Sequence, residues 1–134
     1  MILVTGAAGF IGSFVCKSLL VSGRLIVGID NINNYYSTDL KNKRLAQLQA
    51  FGNFHFHKLD FSDRTMVNQV FASYQFEAVI HLGAQAGVRY SVENPRAYVD
   101  SNLVGFFHIL EASCSSKVKH FVFASTSSVY GLNT

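Results

Sequence analysis

Short apolar runs alternate with segments of helical hydrophobic spacing along the whole chain. The apolar runs predict five buried strands, at 2–5, 25–29, 54–59, 78–82 and 121–125. Between them, the spacing predicts helices at 10–22, 39–51 and 96–115, and another that Ser62 or Asp63 caps. Buried strands that alternate with helices are typical of a parallel sheet covered on both faces. Right-handed crossovers then favour a doubly wound α/β domain with the strand order 3-2-1-4-5.

The same spacing predicts which helical side chains point to the core, and two residues mark helix ends. Gly23 is predicted to end the first helix, and Pro95 to begin the last. The predicted inward residues, helix by helix, are Ile11, Val15 and Leu19; Leu40, Leu45 and Leu48; Met66, Val67, Val70 and Phe71; and Val99, Leu103, Phe106, Phe107 and Leu110.

Length and composition predict a single domain over residues 1–134 of a cytoplasmic protein. An apolar content of 49% with 14% charged residues fits a globular core, and no apolar run approaches the ~18 residues that a membrane span needs. The chain enters a strand at once, which argues against a signal peptide, and Cys16 and Cys114 are expected to be reduced thiols. The net charge of +3 and the cluster Lys41, Lys43 and Arg44 are too small for a nucleic-acid surface. That cluster is either a solvated helix face or help for an anionic cofactor.

A glycine turn follows the first strand. Gly6, Gly9 and Gly12 permit a tight turn, a close approach of the backbone to a pyrophosphate, and close packing of the helix that follows. Asp30 ends the second strand 18 positions after Gly12, where a carboxylate can accept hydrogen bonds from a ribose and repel a 2′-phosphate. The pattern predicts a Rossmann fold that prefers NAD to NADP. An ordinary glycine-rich turn in a flavodoxin-like domain is the alternative.

Two further groups of residues leave open interpretations. Ser125, Thr126, Ser127 and Ser128 lie at the C-terminal end of the fifth strand, where they could hydrogen-bond a reacting alcohol or form a polar turn. His55 and His57 alternate on one strand and either bind a metal or, by default, form a partly exposed strand face; His81 is expected to be structural.

Long stretches of the chain resemble the N-terminal half of an extended short-chain dehydrogenase/reductase of the NAD-dependent epimerase/dehydratase group. The matching segments are 4–12, 30–31, 59–61, 79–91, 94–105 and the Val-Tyr-Gly end at 129–131. Residues 84–91 and 33–36 most resemble the UDP-glucuronate 4-epimerase branch. The resemblance implies a Rossmann domain that is incomplete, because the last strands and the lobe that binds the UDP-sugar substrate are absent.

The resemblance also assigns site residues. It implies NAD binding by Gly6, Gly9, Phe10, Ile11, Gly12, Asp30, Asn31, Asp60, Phe61, Leu82, Ala84, Gln85, Asn102 and Ser125. Arg89 and Tyr90 lead toward the sugar, and Thr126 is the catalytic hydroxyl that hydrogen-bonds the sugar 4-hydroxyl. Gly83 stands where relatives usually have Ala, and we expect it to loosen its loop slightly.

The implied reaction is oxidation at sugar C4 by NAD⁺ and return of the hydride to the other face. It needs a Tyr with a Lys four residues later, and none of the six tyrosines has one; Tyr130 matches the Val-Tyr-Gly tyrosine instead of the base. Thr126-Ser127-Ser128 lacks the acid pair of the group's dehydratases, which favours an epimerase. We therefore expect the inactive NAD-binding part of a nucleotide-sugar epimerase. The alternatives are a non-catalytic dinucleotide-binding module, a dehydratase, and an enzyme that borrows Tyr and Lys from another chain.

Overall fold

The computed structural model describes residues 1–131, and its centre is one sheet of five parallel strands in the order β3-β2-β1-β4-β5. The strands are β1 (Ile2–Thr5), β2 (Ile26–Asp30), β3 (Phe54–Lys58), β4 (Ala78–His81) and β5 (His120–Phe123). Ile2 lies level with Ile26 on one side and with Ala78 on the other, so β1 is the central strand. The predicted strand order and parallel pairing are confirmed.

Helices connect the strands in turn. They are α1 (Phe10–Val21), α2 (Thr38–Gln49), α3 (Arg64–Ser73), α4 (Val88–Glu93), α5 (Pro95–Tyr98), a π-helical segment (Val99–Gly105), α6 (Phe106–Ser115) and a 3₁₀ turn (Ser127–Tyr130). The predicted long helix before β5 is therefore three contiguous segments that begin at Pro95. The short helix α4 lies outside the helices that the sequence predicts. Among residues 1–131, no helix is both long and apolar enough to cross a bilayer.

The core has two layers because neighbouring residues of a strand point to opposite faces of the sheet. On one face, Leu3 of β1 packs in a cluster with Val67 of α3 and Ile109 of α6. On the other face, Val4 packs with Cys16 of α1 and Leu48 of α2. Helices therefore cover both faces, as predicted, and the two layers hold β1 between them.

The helix faces of α1 and α2 differ from the prediction. In α1, Ile11 is 62% exposed, whereas Gly12 and Cys16 are buried. A Cβ on Gly12 would collide with the carbonyl oxygen of Gly6, so the helix turns Gly12 toward the glycine turn and shifts its buried row by one residue. In α2, Leu40 is exposed and Lys41 is buried in its place.

The inward face predicted for the last helix is largely wrong. Val99, Leu103, Phe107 and Leu110 are all exposed, while Gly105 and Ile109 are buried against the sheet. A Cβ on Gly105 would collide with the ring of Phe61, so this glycine fixes the helix rotation. The π-helical turns before it are wider than α-helical turns, so positions at α-helical spacing no longer share one face. In α3, Met66 is exposed as well.

Three predicted helix ends are confirmed in detail. Gly23 follows α1 with a φ of +82°, and its N–H donates to the carbonyl oxygen of Leu20. Asp63, not Ser62, caps α3: its carboxylate accepts the N–H groups of Thr65 and Met66. Pro95 occupies the first turn of α5.

Within residues 1–131, β5 pairs with β4 alone and forms an edge of the sheet. Val122 is 43% and Phe123 51% exposed along this edge. An open apolar edge strand offers unpaired backbone groups to another chain, so we predict that the 134-residue chain self-associates.

The change Val122→Lys places a charge on this edge and should lower the average mass measured by light scattering at high protein concentration. Val92→Lys, the same change at an exposed position on α4, is the matched control and should leave the mass unchanged. A wild-type chain that stays monomeric at high concentration would contradict the prediction.

Candidate functional site

A cleft of about 270 Å³ lies at the carboxyl ends of β1, β2 and β4. Gly6 follows β1, Asp30 ends β2 and Leu82 follows β4, so the three strands deliver their last residues to one place. The connections from β1 and β2 lead to one side of the sheet, and those from β4 lead to the other. In an open parallel sheet, a crevice forms where neighbouring connections lead in opposite directions. The residues that line the cleft are Gly6, Gly9, Phe10, Ile11, Gly12, Asp30, Asn31, Asn33, Tyr35, Tyr36, Lys41, Phe61, Leu82, Gly83, Ala84, Gln85, Ala86 and Ser101.

The structure gathers most of the residues assigned from the sequence into this cleft. Every predicted cofactor residue lines it except Asp60, Asn102 and Ser125. The loop residues Asn33, Tyr35 and Tyr36 also line the cleft and are absent from the predicted site, although they lie in the segment 33–36 that carries the family resemblance. Ser101 and Ala86 were missed as well.

The floor of the cleft is backbone. Gly6 has a φ of +68°, and a Cβ on it would lie 2.8 Å from the amide nitrogen of Gly83. Gly9 caps α1 without a side-chain hydrogen bond, and the first turn of a helix leaves its N–H groups without internal partners. These N–H groups and the positive end of the helix dipole make this end of the cleft suited to an anion.

Asp30 supplies the carboxylate of the cleft and is only 7% exposed. Its Oδ2 accepts the N–H of Ala8 at 3.2 Å, and its Oδ1 accepts the N–H of Ile32 at 2.8 Å. Each oxygen keeps a lone pair for a further donor, such as a hydroxyl. The two backbone bonds fix the direction of the carboxylate before any ligand arrives.

Lys41 belongs to this site and not to a solvated helix face. It is 4% exposed, and its Nζ donates to the backbone and side-chain oxygens of Asn33 at 3.1 and 2.8 Å. Nζ also lies 3.9 Å from Oδ1 of Asp30 and over the ring of Tyr36. Burial lowers the pKa of Lys41, and the Asp30 charge partly opposes that shift.

Asp60 lies beside the cleft, in an adjoining polar depression that Asn31, Gln85 and Tyr90 also line. Its Oδ2 accepts Nδ2 of Asn31 at 2.8 Å, and its Oδ1 accepts the N–H and hydroxyl of Ser62. Burial favours the neutral acid, but these hydrogen bonds outweigh it and hold the pKa of Asp60 below its usual value. Asp60 therefore ties the end of β2 to the start of α3.

Asn102 bonds the backbone of Gln85, one of the residues that line the cleft. Its Oδ1 accepts the N–H of Gln85 at 2.8 Å, and its Nδ2 donates to the carbonyl oxygen of Gln85 at 2.9 Å. Tyr98 donates to the carbonyl oxygens of Ala86 and Gly87. Both polar groups of the Asn102 side chain therefore bond the backbone of the loop that lines the cleft.

Gly83 does not loosen its loop. It is buried, and a Cβ on it would lie 2.5 Å from Cε1 of Phe61 and 3.1 Å from Oγ1 of Thr5. The missing side chain allows a tight contact between the loop and the ring of Phe61.

The residues assigned to the sugar lie outside the cleft. Arg89 and Tyr90 are on α4, where the Tyr90 ring packs 4.8 Å from that of Tyr35. Ser125 and Thr126 are exposed after β5, and Tyr130 is 75% exposed.

No group of three metal-ligating side chains occurs within residues 1–131. Nε2 of His57 lies 2.9 Å from the hydroxyl of Tyr74, and His55 is exposed on the same strand. Cys16 and Cys114 are free thiols.

His81 is a buried neutral side chain behind the cleft. Its ring packs edge-on against Phe61 and Phe106, with centroids 5.3 and 5.4 Å away, and Nδ1 lies 2.9 Å from Oγ1 of Thr5. Burial lowers its pKa to about 4.

Comparison with known proteins gives one family and many relatives. The sequence profile of the GDP-mannose 4,6 dehydratase family matches residues 3–134. Protein CapI of Staphylococcus aureus is 50% identical over 99% of this chain and 40% of its own length. A UDP-glucuronate 4-epimerase of Thermodesulfobacterium geofontis is 47% identical over 96% of this chain and 40% of its own length. The chain thus spans about 40% of the length of these curated relatives.

Solved structures show the same likeness. The UDP-glucuronic acid 4-epimerase of Bacillus cereus, in complex with UDP-glucuronic acid and NAD, superposes with a TM-score of 0.88 at 37% identity. The match covers 99% of this chain and 42% of that one.

The low pKa of His81 has a consequence for stability. The folded pKa of about 4 is below the ordinary value of 6.5, so the unfolded chain binds a proton first as the pH falls. The stability that depends on neutral His81 is complete above pH 6.5 and is lost on the way to pH 4. We predict that the stability advantage of wild type over His81→Asn shrinks by about 3 kcal/mol between those values. Denaturant unfolding at several pH values measures it, and parallel curves would contradict it.

Proposed function

This chain belongs to the GDP-mannose 4,6 dehydratase family, and we propose that it is the NAD-binding part of a nucleotide-sugar 4-epimerase that acts on UDP-glucuronate. The observation that carries the proposal is the meeting of the Gly6–Gly12 turn and the Asp30 carboxylate in one cleft at the carboxyl ends of the strands. This pairs a site for a pyrophosphate with a site for a ribose diol.

The chemistry of the cleft fits a dinucleotide. The first turn of α1 presents N–H groups to the pyrophosphate, and the glycines there leave the backbone uncovered by any Cβ. Asp30, already fixed by Ala8 and Ile32, can accept hydrogen bonds from the adenosine ribose. A 2′-phosphate would meet that carboxylate at short range, which favours NAD over NADP.

The other residues in and beside the cleft divide along the length of the cofactor. Asp60 and Phe61 flank the adenine end, Asn31 assists at the ribose, and Leu82, Ala84 and Gln85 form the wall along which the dinucleotide extends. Lys41 keeps Asn33 and the Tyr36 ring in place beside Asp30. Bound NAD⁺ would supply the acceptor for a hydride from the sugar, and the residues of this chain bind and orient the dinucleotide.

Thr126, with Arg89 and Tyr90, serves the sugar side of the reaction. A hydroxyl at Thr126 can hydrogen-bond the sugar 4-hydroxyl and orient its proton. No tyrosine in the 134 residues has a lysine four positions later, so we propose that these residues alone bind NAD without turnover.

Epimerisation is favoured over dehydration by the residues after β5. Elimination of water needs an acid and a base beside the sugar, and serines follow Thr126 in this sequence where the dehydratases carry an acid pair. The relatives named UDP-glucuronate 4-epimerase support the same choice of reaction and of sugar.

We predict that calorimetric titration shows saturable binding of NAD⁺, with weaker or no binding of NADP⁺. Asp30→Asn should weaken NAD⁺ binding about tenfold, because it removes the carboxylate that accepts hydrogen bonds from the ribose hydroxyls. It should also reduce the discrimination against NADP⁺, because the negative charge that repels a 2′-phosphate is lost. Asp39→Asn removes the same charge from an exposed position on α2 and is the matched control. Equal affinity of the wild type for both dinucleotides would refute the role of Asp30.

The sugar chemistry needs a longer protein that carries this region together with a Tyr-x-x-x-Lys pair. Given UDP-glucuronate, it should form the C4 epimer, which proton NMR identifies from the coupling at C4. Thr126→Val should lower kcat about tenfold to a hundredfold with NAD⁺ affinity unchanged, and Thr126→Ser should restore most of it. Loss of water from GDP-mannose, without epimerisation of UDP-glucuronate, would show a dehydratase instead.

A further inference from the structure

The hydroxyl of Thr5 connects the last residue of β1 with the loop that follows β4. Thr5 is fully buried, and its Oγ1 has three polar neighbours. The N–H groups of Leu82 and Gly83 donate to it at 3.1 and 2.9 Å, and Nδ1 of His81 lies at 2.9 Å.

These contacts fix the position of one proton. A hydroxyl has two acceptor lone pairs and one hydrogen to donate. The two backbone N–H groups use both lone pairs, so the hydroxyl hydrogen points to Nδ1 of His81. His81 must then accept at Nδ1 and carry its own hydrogen on Nε2, which is the neutral form that its burial favours.

The two N–H groups that Thr5 holds begin the wall of the cleft. Leu82 and Gly83 lead into Ala84 and Gln85, which also line it. The far end of this wall is held by Asn102 through the backbone of Gln85. Thr5 and Asn102 therefore anchor residues 82–85 at both ends, from two different elements.

The near end leaves little room for adjustment. Gly83 is packed against the ring of Phe61, and the backbone of Gly6 approaches the amide of Gly83 closely. The Phe61 ring in turn packs against the ring of His81. A change in the direction of the Thr5 hydroxyl would free the buried N–H of Gly83 and the partly buried N–H of Leu82, and would shift the wall against the glycine turn.

We propose that Thr5 and His81 are a positioning pair: His81 accepts the hydroxyl hydrogen of Thr5, and this leaves both lone pairs of Thr5 to hold residues 82–85 in the conformation that binds the dinucleotide. Neither residue lines the cleft, so both act through the backbone of Leu82 and Gly83. The proposal rests on the proposed function only in the identity of the ligand.

The first test is NAD⁺ titration of four variants of the 134-residue chain. Thr5→Val keeps the shape of the side chain and removes the hydroxyl, and it should weaken NAD⁺ binding about tenfold or more. Thr5→Ser keeps the hydroxyl and should bind nearly as wild type. His81→Leu removes the acceptor and should weaken binding, whereas His81→Asn keeps an acceptor oxygen and should recover part of it.

Ser113→Ala is the matched control for loss of a buried hydroxyl. Oγ of Ser113 donates to the carbonyl oxygen of Ile109 on α6, away from the cleft. This variant should lose stability while keeping NAD⁺ affinity. If Thr5→Val loses stability to the same degree and still binds NAD⁺ as wild type does, the positioning role is overturned.

Two measurements without NAD⁺ separate this proposal from the proposed function. Nitrogen-15 NMR of the wild type should show His81 with bare Nδ1 and protonated Nε2; a proton on Nδ1 overturns the proposal. Amide hydrogen exchange at Leu82 and Gly83 should be slow in wild type and Thr5→Ser and faster in Thr5→Val; equal rates also overturn it. If wild type fails to bind NAD⁺ but both results appear as expected, the proposed function fails and the pair's hold on the loop stands.

Discussion

The close contact between two backbone segments, the turn after β1 and the loop after β4, is the constraint on which the rest of the structure depends. Gly6 and Gly83 meet without a Cβ between them, and Gly12 brings α1 onto the carbonyl of Gly6. The carboxyl ends of two adjacent strands therefore lie close enough to form one cleft. A side chain at any of these glycines would force the strands, or the first helix, apart.

The fold was largely predictable because its signals are local. Apolar runs and helical spacing depend only on residues that are close in the sequence, and the right-handed crossovers then limit the possible strand orders. The rotation of each helix was less predictable, since it is decided by contacts distant in sequence. Gly12 against Gly6 and Gly105 against Phe61 set which face of α1 and of the last helix meets the sheet. Nothing in the spacing of Val99, Leu103 and Phe107 reveals the π-helical turns that redirect them.

The candidate site divides in the same way. The glycine turn and Asp30 could be found from spacing, and the family resemblance added the residues of the wall after β4. The two interpretations of Lys41 could not be separated from the sequence, because its burial depends on how the loop after β2 folds back over α2. A basic residue in a basic cluster is typical of a solvated face, and the Asn33 oxygens that overturn that interpretation are eight residues away. The bond of Asn102 to the backbone of Gln85 likewise becomes visible only in the folded structure.

Aromatic rings with hydroxyl groups border the cleft on its open side. Tyr35 and Tyr36 line it, Tyr90 packs on Tyr35, and Tyr98 lies within reach of Tyr90. The chain has no tryptophan and six tyrosines in all, and four of the six lie at or beside this cleft. A ligand that enters the cleft therefore changes the surroundings of these tyrosines, and their intrinsic fluorescence can report its binding without an attached label.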